Sequence, residues 1–188
     1  EELKGKILGL MFFVPSTRTR MSFETAMKRL GGEGIGFENS GSSSVSKGES
    51  IADTAKMFEG YSDALVIRHE LEGVSKFISD IVEVPVINAG DGAGQHPTQT
   101  LLDLYTIRKE IGEIDNLKIA LIGDLKYGRT VHSLSNALGL YKNVTIYLVS
   151  PPELKMPQEV FHDINKTNVK WIETDSIEKI IDDVDVLY

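Results

Sequence analysis

The chain has 188 residues, of which 41% are hydrophobic and 26% charged, values typical of a folded protein with one large or two small domains. Its net charge of −8 argues against nucleic acid as a bulk partner, so a site for an anion must be local. The absence of cysteine excludes disulfides, thiolate metal sites and a cysteine nucleophile, and it favours a cytoplasmic setting. No apolar segment approaches the length of a membrane span.

The stretch from Phe12 to Leu30 predicts a strand, a tight turn and the start of a helix. The apolar run Ile7–Phe13 ends at Pro15, and a helical pattern follows. The predicted inner face of that helix consists of Phe23, Ala26, Met27 and Leu30.

Hydroxyl and basic residues occupy the first turn of this helix, where backbone N–H groups are unpaired and the helix dipole is positive. They are Ser16, Thr17, Arg18 and Thr19. Together they predict a phosphate site. The alternative is a simple N-cap with a solvated arginine. Arg18 and Arg20 in the same turn weaken that alternative, because the dipole disfavours cations unless an anion is present.

Gly31 and Gly32 end the helix, and a short strand is predicted near residues 35–38. The polar loop that follows, Asn39–Gly48, is either an exposed turn or a lid, with Lys47 near its end. A helix over residues 49–59 then leads to a strand over residues 64–67.

Arg68 lies at the end of that strand, where ligands bind in open α/β sheets, although a solvated surface arginine is an equal alternative.

A helix over residues 74–81 and a strand over residues 84–88 come next. Three glycines then precede His96 and a helix over residues 98–111, whose predicted inner face is Leu101, Leu104 and Tyr105. Taken without its context, a lone histidine here caps a helix or packs in the core more often than it binds a ligand. The shared position of Arg18, Arg68 and His96 at strand-to-helix junctions predicts that they converge on one sheet edge.

We place a domain boundary in the polar break at residues 112–116, because a second α/β series begins after it. Strands are predicted over residues 118–122, 144–149, 169–172 and 184–187, and helices over residues 129–141, 158–165 and 176–181. The loop Gly123–Thr130 lacks the G-x-G-x-x-G spacing of a dinucleotide loop. Its Lys126 and Arg129 suit a second anion such as a carboxylate, or Arg129 is paired to a nearby acid in a structural loop.

Four motifs in one order resemble the aspartate/ornithine carbamoyltransferase superfamily. They are Ser16-Thr17-Arg18-Thr19-Arg20, Arg68-His69, His96-Pro97-Thr98-Gln99 and Gly123-Asp124-Leu125-Lys126-Tyr127-Gly128-Arg129-Thr130. The resemblance is to the aspartate branch, because ornithine enzymes usually carry cysteine at the position of Thr98 and lack the Lys126–Thr130 stretch. It implies transfer of the carbamoyl group of carbamoyl phosphate to the α-amino group of L-aspartate, in pyrimidine biosynthesis. The alternatives are a related transcarbamoylase with another acceptor such as ornithine, and a non-catalytic phosphate-binding homologue.

The resemblance also implies roles for individual residues. Phosphate binding falls to Ser16, Thr17, Arg18, Thr19 and Arg68. Thr19, Arg68 and His96 are implied to contact the carbonyl oxygen, with Arg18, Thr19, Arg68 and His96 forming the catalytic set. Gln99 is implied to fix the carbamoyl amide, and Arg129 to hold the aspartate α-carboxylate. The family forms homotrimers with shared sites, in which Ser44 and Lys47 serve the neighbouring subunit.

No metal and no cofactor are expected, because carbamoyl phosphate already contains a good leaving group. Val14 departs from the family, which commonly has an acidic residue there that is thought to support domain closure. The resemblance allows regulatory subunits as further partners.

We therefore predict two successive open, mostly parallel α/β domains. Residues 1–111 form a carbamoyl phosphate domain without its extreme N-terminus, and residues 115–188 form an aspartate domain that is incomplete at its C-terminus. Both ends look cut, because residues 185–188 are typical of the middle of a buried strand.

Overall fold

The computed structural model describes residues 2–39, 41, 47–92, 95–164 and 167–188, and of residue 163 only the backbone. The chain divides into two compact units, Glu1–Gly94 and Gln95–Tyr188. Each unit contains one four-stranded sheet in which every pairing is parallel. The predicted class of two successive parallel α/β domains is confirmed.

In the described part of the first unit, β-strands and α-helices alternate. Its elements are β1 (Ile7–Phe12), α1 (Thr17–Leu30), β2 (Glu33–Phe37), α2 (Ile51–Glu59), β3 (Ala64–His69), α3 (Val74–Ile81) and β4 (Val86–Asp91). The strand order is β2-β1-β3-β4, so β1 and β3 are central and their carboxyl ends are adjacent. This arrangement places the segments that follow β1 and β3 at the same edge of the sheet.

Apolar side chains cover both faces of this sheet, as a parallel sheet requires. Successive residues of β1 alternate between two cores, because strand side chains point to opposite faces. Leu10 and Phe12 pack with Met27 of α1 on one face, whereas Met11 packs on the other with Ala55 of α2. The continuous apolar run at the start of the sequence is therefore a central strand buried on both sides.

The second unit repeats the pattern. Its elements are α4 (Pro97–Ile111), β5 (Lys118–Ile122), α5 (Arg129–Leu138), β6 (Thr145–Val149), a 3-10 turn (Pro152–Leu154), α6 (Gln158–Ile164), β7 (Lys170–Thr174) and β8 (Val186–Leu187). The strand order is β7-β6-β5-β8, so the chain proceeds outward from β5 and then returns to its other side. Ile119 and Leu121 of β5 and Leu134 of α5 are fully buried in the main core of this unit.

In each sheet, an aspartate carboxylate accepts a hydrogen bond from the first backbone N–H of a central strand. The Asp63 carboxylate accepts a hydrogen bond from the Ile7 N–H at 2.8 Å and pairs with Lys6, which holds its pKa below the ordinary value. In the second unit the Asp185 carboxylate accepts from the Lys118 N–H at 2.8 Å. These contacts hold β1 beside β3 and β5 beside β8 one residue before the paired residues of each strand pair begin.

The predicted helix over residues 176–181 was wrong. Residues 178–183 form turns instead, with i to i−3 bonds such as that from the Ile180 N–H to the Ile177 carbonyl. Asp182 and Asp183 at the end of this segment would be repelled by the negative C-terminal end of a helix dipole, which disfavours a helix here.

The predicted apolar faces of α1 and α4 are only partly correct. Phe23 and Met27 face the core, but Leu30 is 38% exposed and Ala26 is also exposed. In α4 the partly buried Leu104 and the buried Ile107 pack inward, while Leu101 and Tyr105 are about two-thirds exposed at 67% and 66%. Across the parts of the chain placed here, no helix combines the length and apolar character needed to cross a membrane.

Candidate functional site

The turn after β1 leads directly into an open helix start. Ser16 is the N-cap of α1, yet within the described chain its side chain makes no capping hydrogen bond. The first intrahelical bond runs from the Arg20 N–H to the Ser16 carbonyl at 3.1 Å. The N–H groups of Thr17, Arg18 and Thr19 are therefore the orphan donors of the first turn. With a positive dipole and no acid in this turn, the helix start suits an oxyanion.

Arg18 and Arg20 behave differently. Arg18 is exposed, so its guanidinium is accessible to a ligand. Arg20 is largely enclosed and pairs with Glu24 at 2.8 Å and with Glu38 at the end of β2. Arg20 therefore ties α1 to β2, and Arg18 is the arginine of this turn that suits an incoming anion.

Arg68 lies beside the turn that leads to α1. It is the register partner of Phe12, and its carbonyl accepts a hydrogen bond from the Phe13 N–H at 2.9 Å. Its Nη1 donates to the Ala89 carbonyl of β4 at 2.9 Å, which orients the guanidinium. A Cβ at Gly90 would lie 2.9 Å from that Nη1, and Gly90 has a φ of +118°, so glycine is required here. Arg68 and the start of α1 thus follow neighbouring strands at one sheet edge.

His96 is the N-cap of α4 in the second unit. Its Nδ1 accepts the Gln99 N–H at 3.3 Å, and the Thr98 hydroxyl lies 3.3 Å from the same nitrogen. The His96 N–H donates to the Ser133 hydroxyl of α5 at 3.1 Å. Because Nδ1 accepts, a neutral His96 carries its proton on Nε2, and that N–H is a hydrogen-bond donor for a ligand. The capping role considered for this residue is therefore real and sets its tautomer.

A hydrogen-bonded chain of side chains links α4 to the end of β8. Gln99 Nε2 donates to the Asp103 carboxylate at 2.9 Å, and the Tyr188 hydroxyl donates to the same carboxylate at 3.1 Å. Sequence reasoning selected Gln99 but missed Asp103 and Tyr188. The i, i+4 spacing of Gln99 and Asp103 was the available signal, whereas the contact with Tyr188 depends on the fold.

The loop between β5 and α5 is rigidly built. The Asp124 carboxylate accepts the N–H groups of Lys126 and Tyr127 at 3.1 and 2.9 Å, which forms a local turn. Leu125 is fully buried, and its carbonyl lies 2.7 Å from Nε2 of His132. This loop positions Arg129 as the first residue of α5, while Lys126 lies exposed with its Nζ 5.2 Å from the Tyr127 ring centre.

For the predicted positions Lys47 and Val14, the structure shows only the degree of exposure. Lys47 is exposed, and Ser44 lies outside the described residues. Val14 is half-buried just before the open helix start. In the portions of the chain that are described, no group of three or more histidine and acidic side chains is arranged to hold a metal ion.

These features define the class of protein: two parallel α/β units, the first with a helix start suited to an anion, the second with a histidine that caps α4 and a loop with two basic residues. The chain belongs to the aspartate/ornithine carbamoyltransferase family, as two family models show. Residues 1–109 match its carbamoyl-P binding domain, and residues 115–188 match its Asp/Orn binding domain.

Individual relatives agree with the family models. An aspartate carbamoyltransferase catalytic subunit from Methanobrevibacter smithii is 82% identical over 188 residues, which is 100% of this chain and 60% of that protein. The catalytic subunit of M. jannaschii aspartate transcarbamoylase superposes with a TM-score of 0.91 at 58% identity, covering 99% of this chain and 61% of that one. Aspartate transcarbamoylase from Trypanosoma cruzi, solved with carbamoyl phosphate and aspartate, gives 0.88 at 43% identity over 99% and 63%. The chain thus spans about three-fifths of the length of its relatives.

Proposed function

We propose that the protein containing this chain transfers the carbamoyl group of carbamoyl phosphate to the α-amino group of L-aspartate. The products are N-carbamoyl-L-aspartate and phosphate, an early step of pyrimidine biosynthesis. The observation that carries the proposal is the start of α1, where the Ser16 side chain makes no capping bond and Arg18 is exposed. The relatives whose names and bound ligands specify aspartate and carbamoyl phosphate support it.

In this proposal the phosphate is held by the orphan N–H groups and hydroxyls of the first turn of α1. Ser16, Thr17, Arg18 and Thr19 supply these donors, and Arg68 adds a charged pair of donors. The Ala89 carbonyl and Gly90 keep the Arg68 guanidinium in place before the substrate arrives, which reduces the entropy lost on binding.

The chemical step needs donors where negative charge develops. As the amine nitrogen of aspartate bonds to the carbamoyl carbon, the carbonyl oxygen gains charge, and Thr19, Arg68 and His96 stabilise it. The C–O bond to phosphate then breaks, and the leaving phosphate takes up the proton that the amine releases. His96 donates from Nε2, because its Nδ1 accepts the Gln99 N–H. Gln99 binds the carbamoyl amide in this scheme.

Arg129 binds the α-carboxylate of aspartate in the proposal. It begins α5, so its side chain and the adjacent helix start act on the same anion. The domain limits proposed are residues 1–111 for carbamoyl phosphate and 115–188 for aspartate. The alternative acceptor, ornithine, is not favoured: the description of the second family model covers both acceptors, but the relatives are named for aspartate.

The proposed assembly is a cytoplasmic homotrimer in which Ser44 and Lys47 complete the neighbouring subunit's site. The exposed position of Lys47 is compatible with a role toward another subunit. Regulatory subunits are a further proposed partner, since relatives are named as catalytic subunits.

A matched pair of substitutions in α1 of the full-length protein tests the proposal. We expect Arg18→Ala to weaken carbamoyl phosphate binding at least about a hundredfold, because a charged donor to a bound anion is lost. Lys28→Ala, an exposed cation in the last turn of the same helix, should bind like the unmodified protein. Calorimetric titration with carbamoyl phosphate measures both. Equal binding by Arg18→Ala and Lys28→Ala would contradict the proposal.

A further inference from the structure

We propose that Asp103 is a positioning residue that fixes which end of the Gln99 amide faces the substrate, and so sets the preference for a carbamoyl group over an acyl group. The inference rests on the proposed function, in which Gln99 reads the carbamoyl amide. It concerns two side chains of the second unit, neither of which is assigned a role in orientation by the resemblance.

The orientation of Gln99 follows from the chemistry of its neighbour. A carboxylate only accepts hydrogen bonds, so the amide NH₂ of Gln99 must face Asp103, and the contact of 2.9 Å is that bond. The amide carbonyl Oε1 is then directed away from Asp103. Without the carboxylate, rotation of the amide by 180° would exchange the two ends at little cost in shape.

Asp103 is itself held in place by a second donor. The Tyr188 hydroxyl donates to its other oxygen at 3.1 Å, and Thr130 contacts the Tyr188 hydroxyl as well. Burial raises the pKa of Tyr188, so this hydroxyl keeps its proton and remains a donor. Since Thr130 is adjacent to Arg129 in α5, the same network ties Gln99 to the helix start proposed to bind aspartate.

The consequence for the substrate is a specific acceptor. The carbamoyl group carries an NH₂, which donates hydrogen bonds, where an acetyl group of nearly the same size carries a methyl. A site that presents Oε1 satisfies the NH₂ and gains nothing from the methyl. A flipped Gln99 would set its own NH₂ against the NH₂ of the substrate, and two donors repel. Asp103 therefore contributes to selectivity without touching the substrate.

The test compares the binding of carbamoyl phosphate and acetyl phosphate to the full-length protein, because a general structural defect would weaken both alike. We expect Asp103→Ala, which removes both acceptor oxygens, to reduce the ratio of the two affinities about tenfold, mainly by weakening carbamoyl phosphate binding. Tyr188→Phe removes the second donor to the Asp103 carboxylate but leaves the carboxylate available to Gln99, so it should reduce the affinity ratio by a smaller factor. Glu110→Gln, an exposed acid on the same helix, should leave the ratio unchanged.

Two reference measurements separate the possible failures. If the unmodified protein binds no carbamoyl phosphate, or Gln99→Ala leaves the affinity ratio unchanged, the proposed function fails at this residue and the inference falls with it. If Gln99→Ala lowers the ratio but Asp103→Ala leaves it unchanged, the proposed function stands and the positioning role of Asp103 is overturned. Thermal unfolding shows whether each variant is folded. If Asp103→Ala is unfolded, the ratio measured for Tyr188→Phe decides instead.

Discussion

His96 caps a helix and, in the proposed function, also donates a hydrogen bond to the substrate. Its Nδ1 accepts the Gln99 N–H and caps α4, and this bond places the remaining proton on Nε2. The tautomer is therefore set by the local backbone. The sequence indicated the histidine, but only the structure shows which nitrogen is engaged.

Substitution of His96 separates these two roles. Asparagine retains an acceptor at the position of Nδ1, so His96→Asn should cap α4 and unfold within a few degrees of the unmodified protein. It lacks the Nε2 donor, and we expect kcat to fall about 10²- to 10³-fold, the usual cost of one oxyanion donor. Steady-state kinetics and a thermal melt check both. Unchanged kcat in a folded His96→Asn protein would exclude the proposed role.

The buried His69 is expected to make the free energy of unfolding depend on pH. It is 7% exposed, its Nδ1 accepts the Leu71 N–H at 2.9 Å, and its ring packs on Phe13 at a centroid distance of 5.0 Å. Burial lowers its pKa below the ordinary 6.5, against a smaller opposing effect of Glu70. Between 6.5 and the lower folded pKa the unfolded state binds more protons, so stability is full above 6.5 and falls as the pH drops through that window.

His69→Asn keeps an acceptor for Leu71 but does not titrate. We expect the free energy of unfolding of this variant to decrease less than that of the unmodified protein between pH 7.5 and pH 5, although its absolute value at pH 7.5 is lower because the ring is lost. Urea denaturation at both pH values measures the difference. Parallel losses in the two proteins would show that His69 does not carry this dependence.

At the scale of elements, the loop between β5 and α5 depends on one glycine. A Cβ at Gly128 would lie 2.4 Å from the Asp124 carbonyl oxygen, and this backbone atom cannot move without the whole turn. Arg129 follows immediately, so a shift of the loop displaces the proposed carboxylate ligand.

We therefore expect Gly128→Ala to raise the KM for aspartate about tenfold and to leave carbamoyl phosphate binding within about twofold, because misplaced binding groups act on their own ligand. Gly60→Ala is the matched control. Its added Cβ would make an ordinary contact of 3.4 Å at the end of α2. Initial rates with each substrate varied in turn provide the measurement. A KM for aspartate that does not differ between the two variants would contradict the role given to this loop.

Most elements of the sheets could be predicted from the sequence, because continuous apolar runs define buried parallel strands. The helix over residues 74–81 and the strand over residues 118–122 have the predicted bounds. The inward faces of α1 and α4 could not be predicted in full, since Ala26 and Leu101 are apolar but exposed. Helical periodicity identifies an apolar stripe but not how much of it the packed sheet covers.

Local signals selected the start of α1, Arg68 and His96 as candidate site residues, because each follows a strand. Asp103 was missed, since its partner Tyr188 is 85 residues away and meets it only in the folded unit. Arg20 supported an anion at this helix start in the sequence argument, but in the structure it pairs with Glu24 and Glu38. The contact with Glu38 could not be predicted, because it requires β2 beside α1.

At the scale of the whole molecule, two parallel α/β units each contain their own core. This architecture was predicted from the alternation of strand and helix signals on both sides of residue 112. In the proposed homotrimer each active site needs two chains, because Lys47 completes the site of the neighbouring subunit.

Mixing two inactive variants of the full-length protein tests the shared site. Arg18→Ala and Lys47→Ala homotrimers should each be inactive. A trimer that contains both variants has one site, of its three, in which an intact Arg18 meets the intact Lys47 of the neighbouring subunit. About three quarters of the trimers reassembled from an equal mixture contain both variants, so about a quarter of the unmodified activity should return. Each variant taken alone through the same procedure is the control. If the mixture stays as inactive as its parts, Lys47 does not act across subunits.

The proposed transfer to aspartate can be observed directly with the full-length protein. Carbamoyl phosphate labelled at its carbonyl carbon is supplied with equal concentrations of aspartate and ornithine, and the products are identified by carbon and phosphorus NMR. We expect labelled N-carbamoyl-L-aspartate, an equal amount of phosphate, and negligible carbamoyl ornithine. Carbamoyl transfer to ornithine or another amine, without transfer to aspartate, would contradict the proposed function.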